Sequence, residues 1–219
     1  MSFARSLAVG AVLGVLASPA AHAYSTIFDT IGAVGTNSFG IDQNNAQGPV
    51  GQSFTTGALD LGLVGVHLFL SADNPGDGGS IVVSLYSDAG GTPGSMLINL
   101  GTLADSAITS TGIYSFGNTL ATGLDYTLTA GTTYWVMASD DLSGPSGDSA
   151  QWYTASNTSG LGAAGSFTTN ADYTGIVDAT TNQPMAMSVD APEPATLAVL
   201  GVGLAGIGWA RRRRAASKI

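Results

Sequence analysis

The sequence predicts an all-β fold, a jelly-roll-like two-sheet β-sandwich, set between an N-terminal signal-peptide helix and a short C-terminal transmembrane helix. Three observations predict it. Apolar residues in the middle of the chain recur at every second position, as on a strand with one buried face, and no helical period is present there. Gly, Asn, Asp, Ser and Pro cluster between these runs at the spacing of turns. There is no cysteine among the 219 residues. Disulfides therefore cannot staple the domain even in an oxidising compartment, and it must hold by its core, which a two-sheet sandwich closes with few helices.

The first element is a leader. Residues 1–23 hold one arginine, Arg5, then an apolar run over residues 7–17, then Ser18-Pro19 and Ala21-His22-Ala23. Small side chains at Ala21 and Ala23 fit the positions that signal peptidase reads, which predicts a signal peptide cut after Ala23. A buried N-terminal helix is the poorer reading, because the run is too short for a lasting span and its flanks are those of a cleaved leader. The exported domain is then residues 24–190, roughly 170 residues, enough for one domain of ordinary size.

Within that domain, Val64, Val66, Leu68 and Leu70 alternate with Gly65, His67, Phe69 and Ser71, which predicts a strand with an aliphatic inner face. Ile81, Val83 and Leu85 repeat the pattern against Val82, Ser84 and Tyr86. Tyr134, Val136 and Ala138 alternate with Trp135, Met137 and Ser139, so Tyr134 and Trp135 are expected on opposite faces, with at most one fully in the core. Further strands are expected over residues 50–56, 96–100, 112–116, 126–129, 150–154 and 185–189, about nine or ten in all. Residues 88–94, Asp-Ala-Gly-Gly-Thr-Pro-Gly, read as a turn between strands, and the Thr- and Gly-rich tract 160–170 reads as loop.

The last element is residues 191–219. Pro192-Glu193-Pro194 runs into the uncharged segment 195–210, followed by Arg211, Arg212, Arg213 and Arg214. A helical span of the bilayer core takes roughly 20 residues, so segment 195–210 is short for a permanent anchor, and its four glycines weaken it further. Trp209 and the arginines extend its reach by sitting at or snorkelling to the interface. The arginine cluster stays cytoplasmic, which places everything before Ala195 outside the inner membrane. The two prolines hold Glu193 extended and accessible at the membrane edge. An ordinary single-pass C-terminal anchor is the alternative.

Pro192, Glu193 and Pro194, the short Gly-rich helix and Arg211 to Arg214 together resemble the PEP-CTERM sorting signal of Gram-negative bacteria. The resemblance implies that an exosortase, a membrane-embedded processing enzyme, recognises the signal and cuts near Pro-Glu-Pro, in a host that makes extracellular polysaccharide. A second resemblance covers residues 51–153. Gly51-Gln52-Ser53-Phe54-Thr55-Thr56-Gly57, Ser84-Leu85-Tyr86-Ser87-Asp88, Gly90-Gly91-Thr92-Pro93-Gly94 and Thr132-Thr133-Tyr134-Trp135-Val136 are similar to a choice-of-anchor surface domain of the R variety. That likeness implies an exported β-sandwich and no particular ligand.

Charge narrows the function classes. All six Lys and Arg lie at Arg5, Arg211 to Arg214 and Lys218, whereas all fifteen acidic residues follow Ala23, Glu193 being the only glutamate. The exported domain therefore has no basic side chain except His67, and it is a poor partner for nucleic acid, whose binding rests on Lys and Arg. Neutral sugars and divalent cations remain open. Asp73 and Asp77, with Asn74, lie in one Gly-rich loop of hard oxygens that suits Ca²⁺, and Asp140, Asp141 and Asp148 form a second such loop; plain hairpin loops are the alternative, since the spacing lacks the EF-hand's terminal glutamate. Trp152 and Tyr153 offer a platform for a pyranose ring, unless alternation sends one of them into the core. Catalysis is not expected. In the exported domain a single histidine, His67, without a Gly-x-Ser-x-Gly elbow, no cysteine and no local pair of carboxylates leave neither a nucleophile nor a hydrolase acid–base pair legible. The expected product is an exported surface or matrix protein, structural or adhesive and associated with exopolysaccharide. Its expected partners are signal peptidase, exosortase and the inner membrane, with a lectin-like or calcium-binding module as the alternative.

Overall fold

The computed structural model describes residues 24–41, 49–72, 78–117, 126–140, 150–156, 167–169, 178–180 and 184–192. The leader, the Asp73 to Asp77 loop and the C-terminal helix with its arginines lie outside them. No described helix is long and apolar enough to cross a membrane.

Among the described residues fourteen strands follow in order: β1 Tyr24–Asp29, β2 Val34–Gly40, β3 Val50–Thr55, β4 Leu61–Gly62, β5 Gly65–Ser71, β6 Ser80–Asp88, β7 Pro93–Ala104, β8 Gly112–Phe116, β9 Thr127–Leu128, β10 Thr133–Asp140, β11 Gln151–Ala155, β12 Phe167–Thr169, β13 Asp178–Thr180 and β14 Met187–Pro192. The described helical elements are two 3₁₀ turns, Ile31–Ala33 and Asp105–Ala107. The described residues are almost all β, in antiparallel sheets.

One six-stranded sheet has the order β1-β14-β5-β11-β2, with β8 on the other side of β5. The second has the order β13-β12-β3-β10-β6-β7, and β4 and β9 form a separate pair. The two large sheets share one core. Val66, Leu68 and Leu70 of β5 are fully buried, as are Ile81, Val83 and Leu85 of β6, and both sets belong to the same cluster. Rings also meet across it: Phe28 of β1 lies 6.2 Å from Phe54 of β3, which lies 5.9 Å from Tyr134 of β10. Period-two alternation thus produced the inner faces as expected, and burial of such side chains contributes about 1.5–3 kcal/mol each.

Several elements differ from the sequence reading. Strands β1 and β2 carry no clean alternation and are held by pairing with β14 and β11. Residues 167–169, expected as loop, form β12 against β3. On β10, Tyr134 joins the core cluster, but Trp135 on the opposite face is fully buried too. β10 lies between β3 and β6, and the Trp135 indole N–H donates to Asp88 Oδ1 at 2.8 Å, so its polar edge is satisfied while its ring is covered.

Asp88 also caps the turn to β7. Its carboxylate accepts the Gly90 and Gly91 amides at 3.0 Å, and both glycines have φ in the left-handed region, 77° and 90°. The Trp135 N–H and these amides hold the Asp88 carboxyl below the usual range, against a smaller opposing effect of burial. A depressed folded-state value means that this stabilisation is fully present above the unfolded value of about 3.9 and is lost as pH falls through the folded one. Thermal melts of Asp88→Asn and wild type are therefore expected to differ at neutral pH, and the difference is expected to shrink below about pH 4. A constant gap down to pH 2 would exclude the ionised carboxylate as its source.

Candidate functional site

The functional region begins in β14. This strand lies between β1 and β5, and Met187, Val189 and Ala191 point into the core with no exposed surface. Alternate residues Ser188 and Asp190 therefore take the outer face. In register, Tyr24 pairs with Pro192, Ser25 with Ala191 and Thr26 with Asp190 on the β1 side, while Asp190 pairs with Gly65 on the β5 side. The Val64 amide donates to the Asp190 carbonyl at 2.9 Å. Two expected processing positions are thus neighbours: Tyr24, the residue after the predicted leader cut, and Pro192, the first residue of Pro-Glu-Pro.

On the adjacent strand β5, on the same face, a polar cluster forms around His67. Its Nε2 lies 3.0 Å from Asp190 Oδ2 and its Nδ1 lies 2.7 Å from the Ser115 hydroxyl of β8, while Thr26 of β1 donates to Asp190 Oδ1 at 2.9 Å. An ionised carboxylate can only accept, so Nε2 carries a proton. The Ser115 hydroxyl can serve the second ring nitrogen, Nδ1, as donor or acceptor, so both ring nitrogens have a partner. The side chains of His67 and Asp190 retain 21% and 19% of their exposure, the half-exposed position expected for His67.

The order Asp190, His67, Ser115 matches the relay in which a carboxylate orients an imidazole that accepts from a serine. Nucleophilic catalysis also requires oxyanion donors and a cleft that excludes water. Ser115 is exposed on the outer face of an open sheet. The arrangement ties four strands, β1, β14, β5 and β8, across their outer face. Sequence reasoning placed His67 outward but missed Thr26, Ser115 and Asp190, which only the strand register brings to it.

The other sequence-derived candidates separate. Trp152 is fully buried in the core, with its indole N–H donated to the Ala186 carbonyl at 3.0 Å, so it cannot stack on a sugar; the platform reading is corrected for this residue. The cause is the alternation of β11, which sends Trp152 inward and Tyr153 outward. Tyr153 is half-buried, edge-on to Phe69 at 5.5 Å between ring centres. Asp140 ends β10 and is only 7% exposed; Asp141 and Asp148 of the same candidate loop, like Asp73 and Asp77 of the other, lie outside the described residues. No group of three or more His, Cys, Asp or Glu suited to a metal ion occurs among the described residues. A cleft of about 360 Å³ beside the β2–β11 bulge, lined by Val34, Asn37, Thr154 and Ser156 among others, has no titratable side chain. Ala21, Ala23, Glu193, Pro194 and Arg211 to Arg214 lie outside the described residues.

A family model described as the PEP-CTERM protein-sorting motif matches residues 190–214. No curated protein matches the chain. The match starts at Asp190, inside β14, and includes Pro192, Glu193, Pro194 and all four clustered arginines. Such a motif implies an exosortase substrate that is exported and held transiently at the membrane before surface display.

Proposed function

We propose that this PEP-CTERM-sorted chain is a structural or adhesive component of the cell surface or extracellular matrix, associated with exopolysaccharide and without catalytic activity of its own. The observation that carries the reading is the position of the sorting motif, whose first three residues, Asp190 to Pro192, are the end of the last described strand. From Pro192 only Glu193 and Pro194 precede the apolar segment, and two residues reach at most about 7 Å. While the signal is attached, the domain stands directly on the outer face of the inner membrane on its Tyr24–Pro192 end.

The domain itself reads as a choice-of-anchor type, and its connectivity supports a jelly roll. Leaving aside β2, β4, β9 and β11 to β13, the remaining strands numbered one to eight along the chain fall into sheets ordered 1-8-3-6 and 2-7-4-5, the winding of a double Greek key. Sandwiches of this kind serve as rigid surface modules. A domain without Lys or Arg suits a neutral matrix better than an acidic one, and Tyr153 beside Phe69 is the aromatic pair through which a lectin-like variant of this reading would act.

The test is the intact mass of the protein recovered from cells, from medium and from the extracellular polysaccharide fraction. A species that starts at Tyr24, ends near Pro194 and is enriched in the polysaccharide fraction is the expected result. Recovery of a surface protein that still carries Ile219 would overturn the sorting reading, and a processed species confined to the medium would overturn the association with polysaccharide.

A further inference from the structure

We propose that the sorting cut is made on a partly opened sheet: the two outermost rungs between β1 and β14 part when the processing enzyme takes up its substrate, and the Asp190 cluster stops the opening there. The proposal rests on the sorting reading and adds how the fold regulates it. Pro192 belongs to the recognised motif and at the same time pairs with Tyr24 in the sheet. An enzyme that binds Pro192, Glu193 and Pro194 together in an extended groove must move Tyr24 from beside Pro192 and competes with β1 for the backbone of its neighbour Ala191, Pro192 itself having no N–H to give. Taking up an extended segment by strand addition needs backbone groups that are not already paired.

The cost of opening rises sharply along β14. Among the side chains described, parting Tyr24–Pro192 and Ser25–Ala191 uncovers one small apolar group, the buried methyl of Ala191. The next residue inward, Asp190, is held by Thr26 of β1, by His67 of β5 and by the Val64 amide, all within 3.0 Å. Beyond it Val189 is fully buried against the core. Opening by two residues is thus a fraying of the sheet end, of the sort expected at chain termini, and opening by a third breaks a network. Removal of the leader after Ala23 would leave Tyr24 as a free end of β1, the side from which fraying starts.

The test is a reversible lock. Ser25→Cys with Ala191→Cys joins the register partners in a chain that has no other cysteine. It is placed in the full-length precursor in its producing host, and the C-terminal cut is followed by mass. The oxidised double variant is expected to be cut at least tenfold more slowly than wild type. Inserting Gly-Ser-Gly-Ser between Ala191 and Pro192 of the oxidised variant is expected to restore cutting, because the motif then leaves the sheet while the lock stays shut. Cutting of the oxidised variant at the wild-type rate overturns the proposal, and so does failure of the insertion to rescue it, which would show that the lock acts by another route. If wild type itself keeps its C-terminus, the sorting reading falls first. Hydrogen exchange on the precursor tests the stop: the Ala191 amide is expected to exchange at least tenfold faster than that of Val189, and equal rates would remove the Asp190 cluster from the proposal.

Discussion

A chain that starts at Tyr24 and stops after Ala186 is expected not to fold, whereas one that stops after Pro194 is expected to fold cooperatively. The shorter chain lacks only β14, but β14 is an inner strand with partners on both sides. Burial of Met187 and Val189 alone contributes about 3–6 kcal/mol at 1.5–3 kcal/mol per side chain, a large part of the 5–15 kcal/mol that holds a typical domain together. Thr30 loses the Met187 carbonyl that accepts its amide at 2.8 Å, and His67 and Thr26 lose Asp190. Far-ultraviolet circular dichroism and urea titration of the two chains give the comparison. A cooperative transition in the shorter chain at the same midpoint would show that β14 is dispensable. The expected result bears on sorting, because a cut upstream of Asp190 would destroy the product that it releases. If that result is obtained, a cut that leaves the domain folded has to fall after β14.

How far the sequence could be read followed from how local each signal is. The inner faces of β5 and β6 were legible because alternation of Val66, Leu68 and Leu70, or of Ile81, Val83 and Leu85, is a property of consecutive residues. The turn after Asp88 was legible for the same reason, since paired glycines needing positive φ announce themselves. The sorting motif was legible because a membrane helix and its flanking charges act as a linear address. By contrast β1 and β2 owe their existence to partners more than a hundred residues away, β14 and β11, and nothing within Tyr24–Asp29 or Val34–Gly40 specifies that pairing. The His67 cluster was hidden for the same reason. Thr26, Ser115 and Asp190 lie on three strands, and a register shift of one residue on any of them would turn that side chain to the opposite face. Burial of Trp135 was missed because alternation assigns faces but does not say whether the second face of a strand is covered.

Trp152→Ala is expected to be the most damaging single substitution among the aromatic residues once considered for ligand binding, with a loss of about 3–5 kcal/mol of stability, as for other buried large-to-small changes. The indole has no exposed surface and lies in the shared core, so its removal leaves a cavity that the flanking strands can close only in part. Trp152→Phe separates packing from the hydrogen bond. The Ala186 carbonyl that accepts the indole N–H also accepts the Phe69 amide at 3.1 Å, so the carbonyl keeps a partner and the hydrogen-bond loss stays near 0.5–1.5 kcal/mol. Tyr153→Ala, one residue on, removes a half-buried ring from the outer face and is expected to cost less than Trp152→Ala by at least about 1 kcal/mol, since a half-exposed ring gives up less burial. Equilibrium urea unfolding of the three variants measures the order. If Trp152→Ala instead falls within about 0.5 kcal/mol of wild type, as surface changes do, the tryptophan is not a core residue and the assignment of faces along β11 is wrong. If the expected order holds, loss of sugar binding in Trp152→Ala would report unfolding rather than a lost contact, and Tyr153 is the position at which a surface role on this strand can be tested.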